Sequence, residues 1–330
     1  MLACAAMTPV VTICIPTFRR LNYLKEAVQA AQAQTLQNIE VLISDDGDSD
    51  ELKRWSESAQ REDSRVRYRK NEKNLGLGGN WNECVSAARG EWIVIQGDDD
   101  RLLPSFCERL LQIAAADSAV LFSNHFVIDE HGDRLEKESE EWTVRYRRNH
   151  LPRGRVQDVA RCVWSNSVPM TSALVRADNI KRLGIKTDLN TPEIEFFARL
   201  AAEGARFDHE PAYLAEFRSH AASSTSNGLF SERLVRYLES IAVPDSVEDT
   251  KRAFMAPLTR SAVDRLLRSG EQARAVEMMR SRYYPHSFTD PALLAQALAA
   301  RAPLGLGIRA YLLARRLHEA RNNWLGRHAS

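Results

Sequence analysis

Three short apolar runs in the first hundred residues each stop abruptly at a polar cluster, and that pattern constrains the fold more than any other feature. Val10 to Ile15 ends at Pro16-Thr17, Ile39 to Ile43 ends at Ser44-Asp45-Asp46-Gly47, and Trp92 to Gln96 ends at Gly97-Asp98-Asp99-Asp100. Runs that are mainly apolar, rich in Val and Ile and bounded by turn residues, read as buried strands. Between them Leu24, Ala27, Val28 and Ala31 recur at helical spacing, predicting a helix over 21–34. A second helix is expected near 80–88, stopped by Arg89-Gly90, and a third over 102–116. Further strands are expected at 66–68, 119–123 and 213–217, and helical pattern returns at 193–203. Strands alternating with helices make an α/β sheet, mostly parallel and covered on both faces. Ligands of such sheets bind beyond the carboxyl ends of the strands, where the three polar clusters fall.

Three adjacent carboxylates repel one another unless a cation or strong donors offset them. Hard divalent ions such as Mg²⁺ or Mn²⁺ take oxygen ligands, commonly one or two carboxylates completed by substrate phosphates. The Asp98-Asp99-Asp100 triplet therefore reads either as part of a metal–nucleotide site or as a solvated acidic turn at the start of the next helix. Asp46, taken alone, reads equally as a turn residue. Two acidic strand ends in one sheet favour the metal–nucleotide reading.

The order and spacing of five short pieces carry a resemblance. Ile15-Pro16-Thr17-Phe18, Ser44-Asp45-Asp46-Gly47, Asn74-Leu75-Gly76, Ala88-Arg89-Gly90-Glu91 and Gly97-Asp98-Asp99-Asp100 with Pro104 together resemble family 2 glycosyltransferases of the GT-A fold. The likeness covers about residues 10–220. It implies a metal-dependent, inverting transfer of a sugar from a nucleotide diphosphate-sugar, with UDP- or dTDP-sugars favoured, to a saccharide or lipid-linked hydroxyl acceptor. It also implies surface polysaccharide or glycolipid synthesis as the setting. By the same resemblance Pro16 and Thr17 line the nucleoside pocket, Asp46 accepts the N3–H of a pyrimidine base, Asp98 lies toward the ribose and Asp99 holds the divalent metal (Mn²⁺ or Mg²⁺). Gly97 stands where the first Asp of the D-x-D motif often occurs. Thr191-Pro192-Glu193-Ile194-Glu195-Phe196-Phe197-Ala198-Arg199 resembles the family's E-D-x-D-x-x-x-R segment, which puts the catalytic base at Glu193 and a second acidic position at Glu195. Locally that segment is also an ordinary helix start, Thr capping and Pro leading. Arg218 is the expected diphosphate contact and His220 a metal ligand, ahead of a Ser- and Thr-rich loop at 220–228. Trp142 and Trp164 are candidate sugar platforms.

Two other classes fit less well. A nucleotidyltransferase usually carries a glycine-rich phosphate loop after its first strand, and here that place holds Pro16-Thr17-Phe18-Arg19-Arg20. A degenerate sugar-nucleotide scaffold has no need to keep Asp46, Asp98, Asp99 and Glu193.

The expected organisation is a catalytic domain over 1–228, its nucleotide half at about 8–123 and acceptor half at about 124–228, followed by a helical extension over 229–330. Charge divides at nearly the same place. From 251 onward there are 14 Lys/Arg against 5 Asp/Glu, a balance of +9, so the first 250 residues of this +1 chain carry −8. A basic helical face with Leu304, Ile308, Tyr311 and Leu312 reads as packing on the core or a partner, or as an interfacial contact with an anionic membrane. It lacks a nucleic-acid recognition motif, so no nucleic acid is expected as a partner. Five scattered cysteines without a CxxC pair read as reduced thiols of a cytoplasmic protein, with the inner face of the cell membrane as its peripheral option. The first seven residues have no basic flank or cleavage pattern, which reads against a secretion signal.

Overall fold

β1 (Val11–Thr17) is buried along nearly its whole length, and its neighbours explain why. It pairs in parallel with β2 (Ile39–Asp45) on one side and β4 (Trp92–Ile95) on the other, Val11 lying beside Ile39 and Trp92. β3 (Val66–Lys70) extends the sheet beyond β2. The computed structural model describes residues 8–219, 232–286, 289–301, 307–308 and 311–313. The chain divides into two compact units, Met1–Asn227 and Gly228–Ser330.

The remaining strands are β5 (Arg101–Leu102), β6 (Ser118–Ile128), β7 (Gly154–Arg155), β8 (Ala173–Arg176) and β9 (Arg206–Arg218). The sheet order is β3-β2-β1-β4-β8-β6-β9-β5, with β7 on β9. β8 runs against both β4 and β6, β5 and β7 run against β9, and the other six strands share one direction. The mostly parallel α/β expectation is therefore met, with β8 as an antiparallel strand between two parallel blocks.

Helix Leu21–Gln32 buries the expected face, Leu24, Ala27, Val28 and Ala31, against Val11, Ile13 and Ile15. Helix Asp50–Glu62 was not legible in the sequence because it buries only Leu52, Ser56 and Ala59. Its start is fixed by Ser49, whose side chain accepts from the Leu52 amide at 3.2 Å. The helix expected over 102–116 shrinks to Phe106–Leu111, because Arg101–Leu102 pairs with β9 instead. β6 and β9 run well beyond their predicted lengths. Buried Asp208, His209 and Glu210 interrupt the apolar pattern of β9, and two of them are ion-paired: Asp208 with Arg206, Glu210 with Arg109 and Arg153.

Gly90 locks the sheet to the turn before β4. A Cβ there would lie 2.4 Å from the Thr12 amide nitrogen and 2.7 Å from the Val11 carbonyl carbon. The Gly90 amide donates to Thr12 Oγ1 at 2.8 Å.

The second unit contains helices Glu232–Ser240, Asp245–Arg268, Gln272–Met278 and Pro291–Arg301 around Leu234, Leu238, Met255, Val263, Leu267 and Met278. Asp290 caps the last of these, accepting from the Ala292 amide at 2.8 Å. Of the basic face read in the sequence, only Ile308, Tyr311 and Leu312 lie among the described residues. Tyr311 is buried and its hydroxyl donates to Asp264, so that position serves the unit's own core. Among the described residues no helix is long and apolar enough to cross a membrane, and four cysteines, Cys14, Cys84, Cys107 and Cys162, are buried and unpaired.

Candidate functional site

Parallel pairing brings the ends of β1, β2 and β4 to one edge of the sheet. Backbone bonds carry the alignment past the strands: the Asp46 amide donates to the Thr17 carbonyl at 3.0 Å and the Gln96 amide to Cys14 at 2.9 Å. A cleft of about 460 Å³ opens there, lined by Pro16, Thr17, Asp46, Asp98, Asp99, Glu193 and Arg218. His220 lies outside the described residues.

Asp98 has a fully buried side chain. It accepts from Thr17 Oγ1 at 2.7 Å and pairs with Arg20, whose guanidinium also reaches Asp99 Oδ2 at 2.7 Å. Burial raises the Asp98 carboxyl to about 6, against the pull of Arg20. Asp100 is raised to about 7 by burial and by the charge of Asp99, although Thr171 Oγ1 (2.6 Å) and the Arg218 amide (2.9 Å) both donate to it. Gly97 is closely approached by this turn: a Cβ there would sit 2.8 Å from a carboxylate oxygen of Asp99 and of Asp100, so a side chain would require those carboxylates to shift.

Asp46 is buried and its two oxygens accept from the Leu75 and Gly76 amides at 2.8–2.9 Å and from Asn71 Nδ2 at 3.0 Å. It therefore fastens the entry to helix Gly76–Ala87 as well as lining the cleft. Asp45 faces away, bonded by Tyr68 Oη at 2.9 Å and the Gly47 amide at 2.8 Å. Asn80 knits the two strand ends together by donating to the carbonyls of Ser44 and Thr17.

Glu193 stands in the first turn of helix Pro192–Ala202, partly exposed, with its carboxyl raised to about 7 by burial. Among the described residues no cation pairs with it. Thr191 holds the cap position but makes no side-chain cap bond. Its hydroxyl is buried in the cleft wall without a partner, so the capping role read in the sequence is not realised. Glu195 is set apart from Glu193 by a bidentate ion pair with Arg199 at 2.6 and 2.9 Å, and Arg199 also ties down the carbonyls of Leu183 and Gly184.

Arg218 needs correction as a phosphate contact. Its side chain is fully buried, donating from Nε to the Asp99 carbonyl at 2.8 Å, from Nη1 to the carbonyls of Asp129 and Glu130, and from Nη2 to Glu26 at 2.6 Å. Those partners use the guanidinium to shape the acidic turn. The guanidinium beside the carboxylates is that of Arg20, partly exposed and lining the cleft, which sequence reasoning passed over; its place three residues after Thr17 was the available signal. Trp142 lines the cleft, whereas Trp164 is buried and outside its lining.

Among the described residues no three His, Cys, Asp or Glu side chains gather to hold a metal by themselves. The donor set present, hard carboxylate oxygens on Asp98 and Asp99 at the mouth of a cleft, fits a divalent ion that completes its shell with ligand phosphates.

Residues 12–176, half of the chain, match the family described as Glycosyl transferase family 2, and the chain belongs to that family. It is 33% identical over 140 residues to a GalNAc(5)-diNAcBac-PP-undecaprenol beta-1,3-glucosyltransferase of Campylobacter jejuni, a match spanning 40% of this chain and 45% of that protein. The chain thus spans less than half of that relative's length. Among solved structures, S. aureus TarS 1-349 in complex with UDP-GlcNAc superposes with a TM-score of 0.60 at 13% identity, covering 93% of this chain and 92% of the other. A mannosyltransferase from Pyrobaculum calidifontis, in complex with GDP-Man and Mn²⁺, gives 0.57 at 15% identity and covers 94% and 87%. These likenesses establish the GT-A fold.

Proposed function

We propose that the chain is a metal-dependent, inverting glycosyltransferase that moves a sugar from a nucleotide diphosphate-sugar to a hydroxyl acceptor. The observation that carries this reading is Glu193, a carboxyl raised to about 7 with no cationic partner among the described residues. It lines the same cleft as Asp98 and Asp99. A base poised near neutral pH is what proton removal from an acceptor hydroxyl requires. In the transfer, that oxygen attacks the anomeric carbon from the face opposite the diphosphate. The anomeric C–O bond breaks, the diphosphate leaves with the bonding electrons, and the proton passes to Glu193.

On the donor side, Pro16 and Thr17 form the wall of the nucleoside pocket, and Asp46 is its base-recognising carboxylate. A pyrimidine N3–H would join the amides of Leu75 and Gly76 there, favouring a UDP- or dTDP-sugar. Asp98 faces the ribose and Asp99 would hold Mn²⁺ or Mg²⁺. When bound, the metal supplies charge stabilisation to the departing diphosphate. Arg20 supplies positive charge at the same place and keeps the two carboxylates from repelling each other. Residues 1–228 form the catalytic domain in this reading. A saccharide or lipid-linked acceptor accords with the name of the Campylobacter relative.

The test is nucleoside diphosphate release from a panel of UDP-, dTDP- and GDP-sugars, with Mn²⁺, with Mg²⁺ and with chelator. Release that requires metal and drops in Glu193→Gln is expected. Metal-independent release, or release indifferent to the substitution, overturns the assignment.

A further inference from the structure

The cleft contains a charge that the donor site does not use. Arg148 is 2% exposed, yet its Nε and Nη2 have no hydrogen-bond partner. The groups whose electrostatics act on it are Tyr146, Tyr213 and Cys162, with no carboxylate among them. Burial lowers its pKa to about 10, which still leaves it charged at neutral pH. The Tyr146 ring, with its centroid 5.5 Å from the guanidinium carbon, offsets part of the charge. A guanidinium taken out of water with no carboxylate beside it is still costly.

The surroundings are built rather than accidental. Arg148 opens the short turn Arg148–His150, and Arg147 before it adopts a left-handed backbone with φ 56°, a conformation that non-glycine residues hold only under constraint. Ser167 Oγ clamps the turn by donating to the Tyr146 carbonyl at 2.6 Å. His125, on β6, also lines the cleft, and both its ring nitrogens are buried without partners. Its pKa is pushed well below the ordinary value by burial and by the charge of Arg148, so it is a neutral imidazole. The Trp142 ring meets His125 and Tyr146 edge to face, with centroids 6.0 and 5.9 Å away. A cation, an imidazole and an aromatic plane together suit a sugar or polyol that bears an acid.

Position separates this group from the donor end. The acidic turn and Asp46 follow β4 and β2, whereas His125 lies on β6, with β8 between β4 and β6. The Ser167 that clamps the Arg148 turn lies between Asn166 and Val168, and both of these line a small cavity together with Glu193. We propose that Arg148 and His125 form an acceptor-side anion site, which binds a phosphate or carboxylate of the acceptor while its hydroxyl lies at Glu193. The proposal rests on the glycosyl-transfer reading and narrows the acceptor to anionic molecules.

Calorimetric titration of the full chain, loaded with Mn²⁺ and UDP, tests it. The probes are glucose 1-phosphate, glucuronate, inorganic phosphate and neutral methyl glucoside. The wild type is expected to bind glucose 1-phosphate or glucuronate at least tenfold more tightly than methyl glucoside. Whichever of the two binds better tells phosphate from carboxylate as the group recognised. Arg148→Gln erases the difference, Arg148→Lys retains part of it, and UDP affinity stays within twofold in both. Since the Gln variant removes a buried charge that has no carboxylate partner, it melts no lower than wild type. No preference in the wild type, or a preference intact in Arg148→Gln, overturns the proposal. So does competition between the anionic probe and UDP, which would assign Arg148 to the donor diphosphate, and so does a Gln variant that fails to fold. Donor hydrolysis in the same samples tests the underlying reading separately. Hydrolysis without anion preference removes only the anion site, whereas anion preference without hydrolysis of any donor removes the transferase reading and keeps the site.

Discussion

Replacing Glu193 by Gln separates the chemistry of this residue from its packing, because the two effects run in opposite directions. The folded carboxyl sits at about 7 against an ordinary value of 4.5, and burial is the first cause. A raised acid pKa means that the folded state holds the proton more tightly than the unfolded chain. Protonation therefore contributes stability that is fully present below about pH 4.5 and is lost as pH rises through about 7. The difference of about 2.5 units corresponds to at most about 3 kcal/mol, less whatever water in the cleft returns. Gln keeps the shape and never ionises, so the variant is expected to be more stable than wild type at pH 8 by up to that amount and equal to it near pH 4.5. Activity moves the other way. With a base at about 7, the ionised fraction climbs from about 10% at pH 6 to about 90% at pH 8, and nucleoside diphosphate release should follow it. The Gln variant should lose about 10²- to 10⁴-fold at pH 8. Asp98 and Asp100 titrate in the same range in both proteins, so the difference between the two profiles isolates Glu193. Thermal melts and release rates at pH 5, 6, 7 and 8 read both effects. A variant that stays active, or that melts below wild type at pH 8, refutes the assignment of Glu193 as a partly buried, ionisable base.

Thr17→Val removes the 2.7 Å donor to a buried carboxylate. It should cost about 1–3 kcal/mol by urea denaturation at pH 8, with a smaller loss at pH 5 where Asp98 is protonated. Arg20→Ala leaves Asp98 and Asp99 without their shared cation. The carboxyl of Asp98 should rise beyond its present value of about 6, so melts should fall further at pH 8 than at pH 5, and equal losses at both would refute the pairing. Gly90→Ala drives a methyl into the backbone of β1 and should cost about 1–3 kcal/mol while leaving the site chemistry intact, measured by denaturation and by release rate.

The part of the sheet built from β1, β2 and β4 was legible because its strands are buried on both faces and mainly apolar. Val11, Ile13 and Ile15 are apolar whichever way they point, and the polar residues that follow them are the ones at the ligand edge. The later strands obscure themselves. β9 carries buried Asp208, His209 and Glu210, which read as a surface stretch until Arg206, Arg109 and Arg153 are placed around them. β8 is four residues long, too short for any periodicity. Arg218 shows the limit at single residues: its closeness to the site was readable, whereas the direction of its guanidinium depended on Glu26 and the 129–130 turn, neither near it in sequence. Arg148 gave no signal, since an unpaired buried charge is visible only when the surrounding atoms are known.

Thr17 touches both sides of the cleft, its hydroxyl donating to Asp98 and its carbonyl accepting from the Asp46 amide. An engineer who wished to change what the cleft accepts could not exchange the acidic turn as a cassette. The turn, the end of β1 and the segment behind Asp46 form one interlocked piece. Directed libraries should therefore vary positions 17, 46 and 98 together, because a change at one that is silent alone can be lethal, or useful, only in the company of the others.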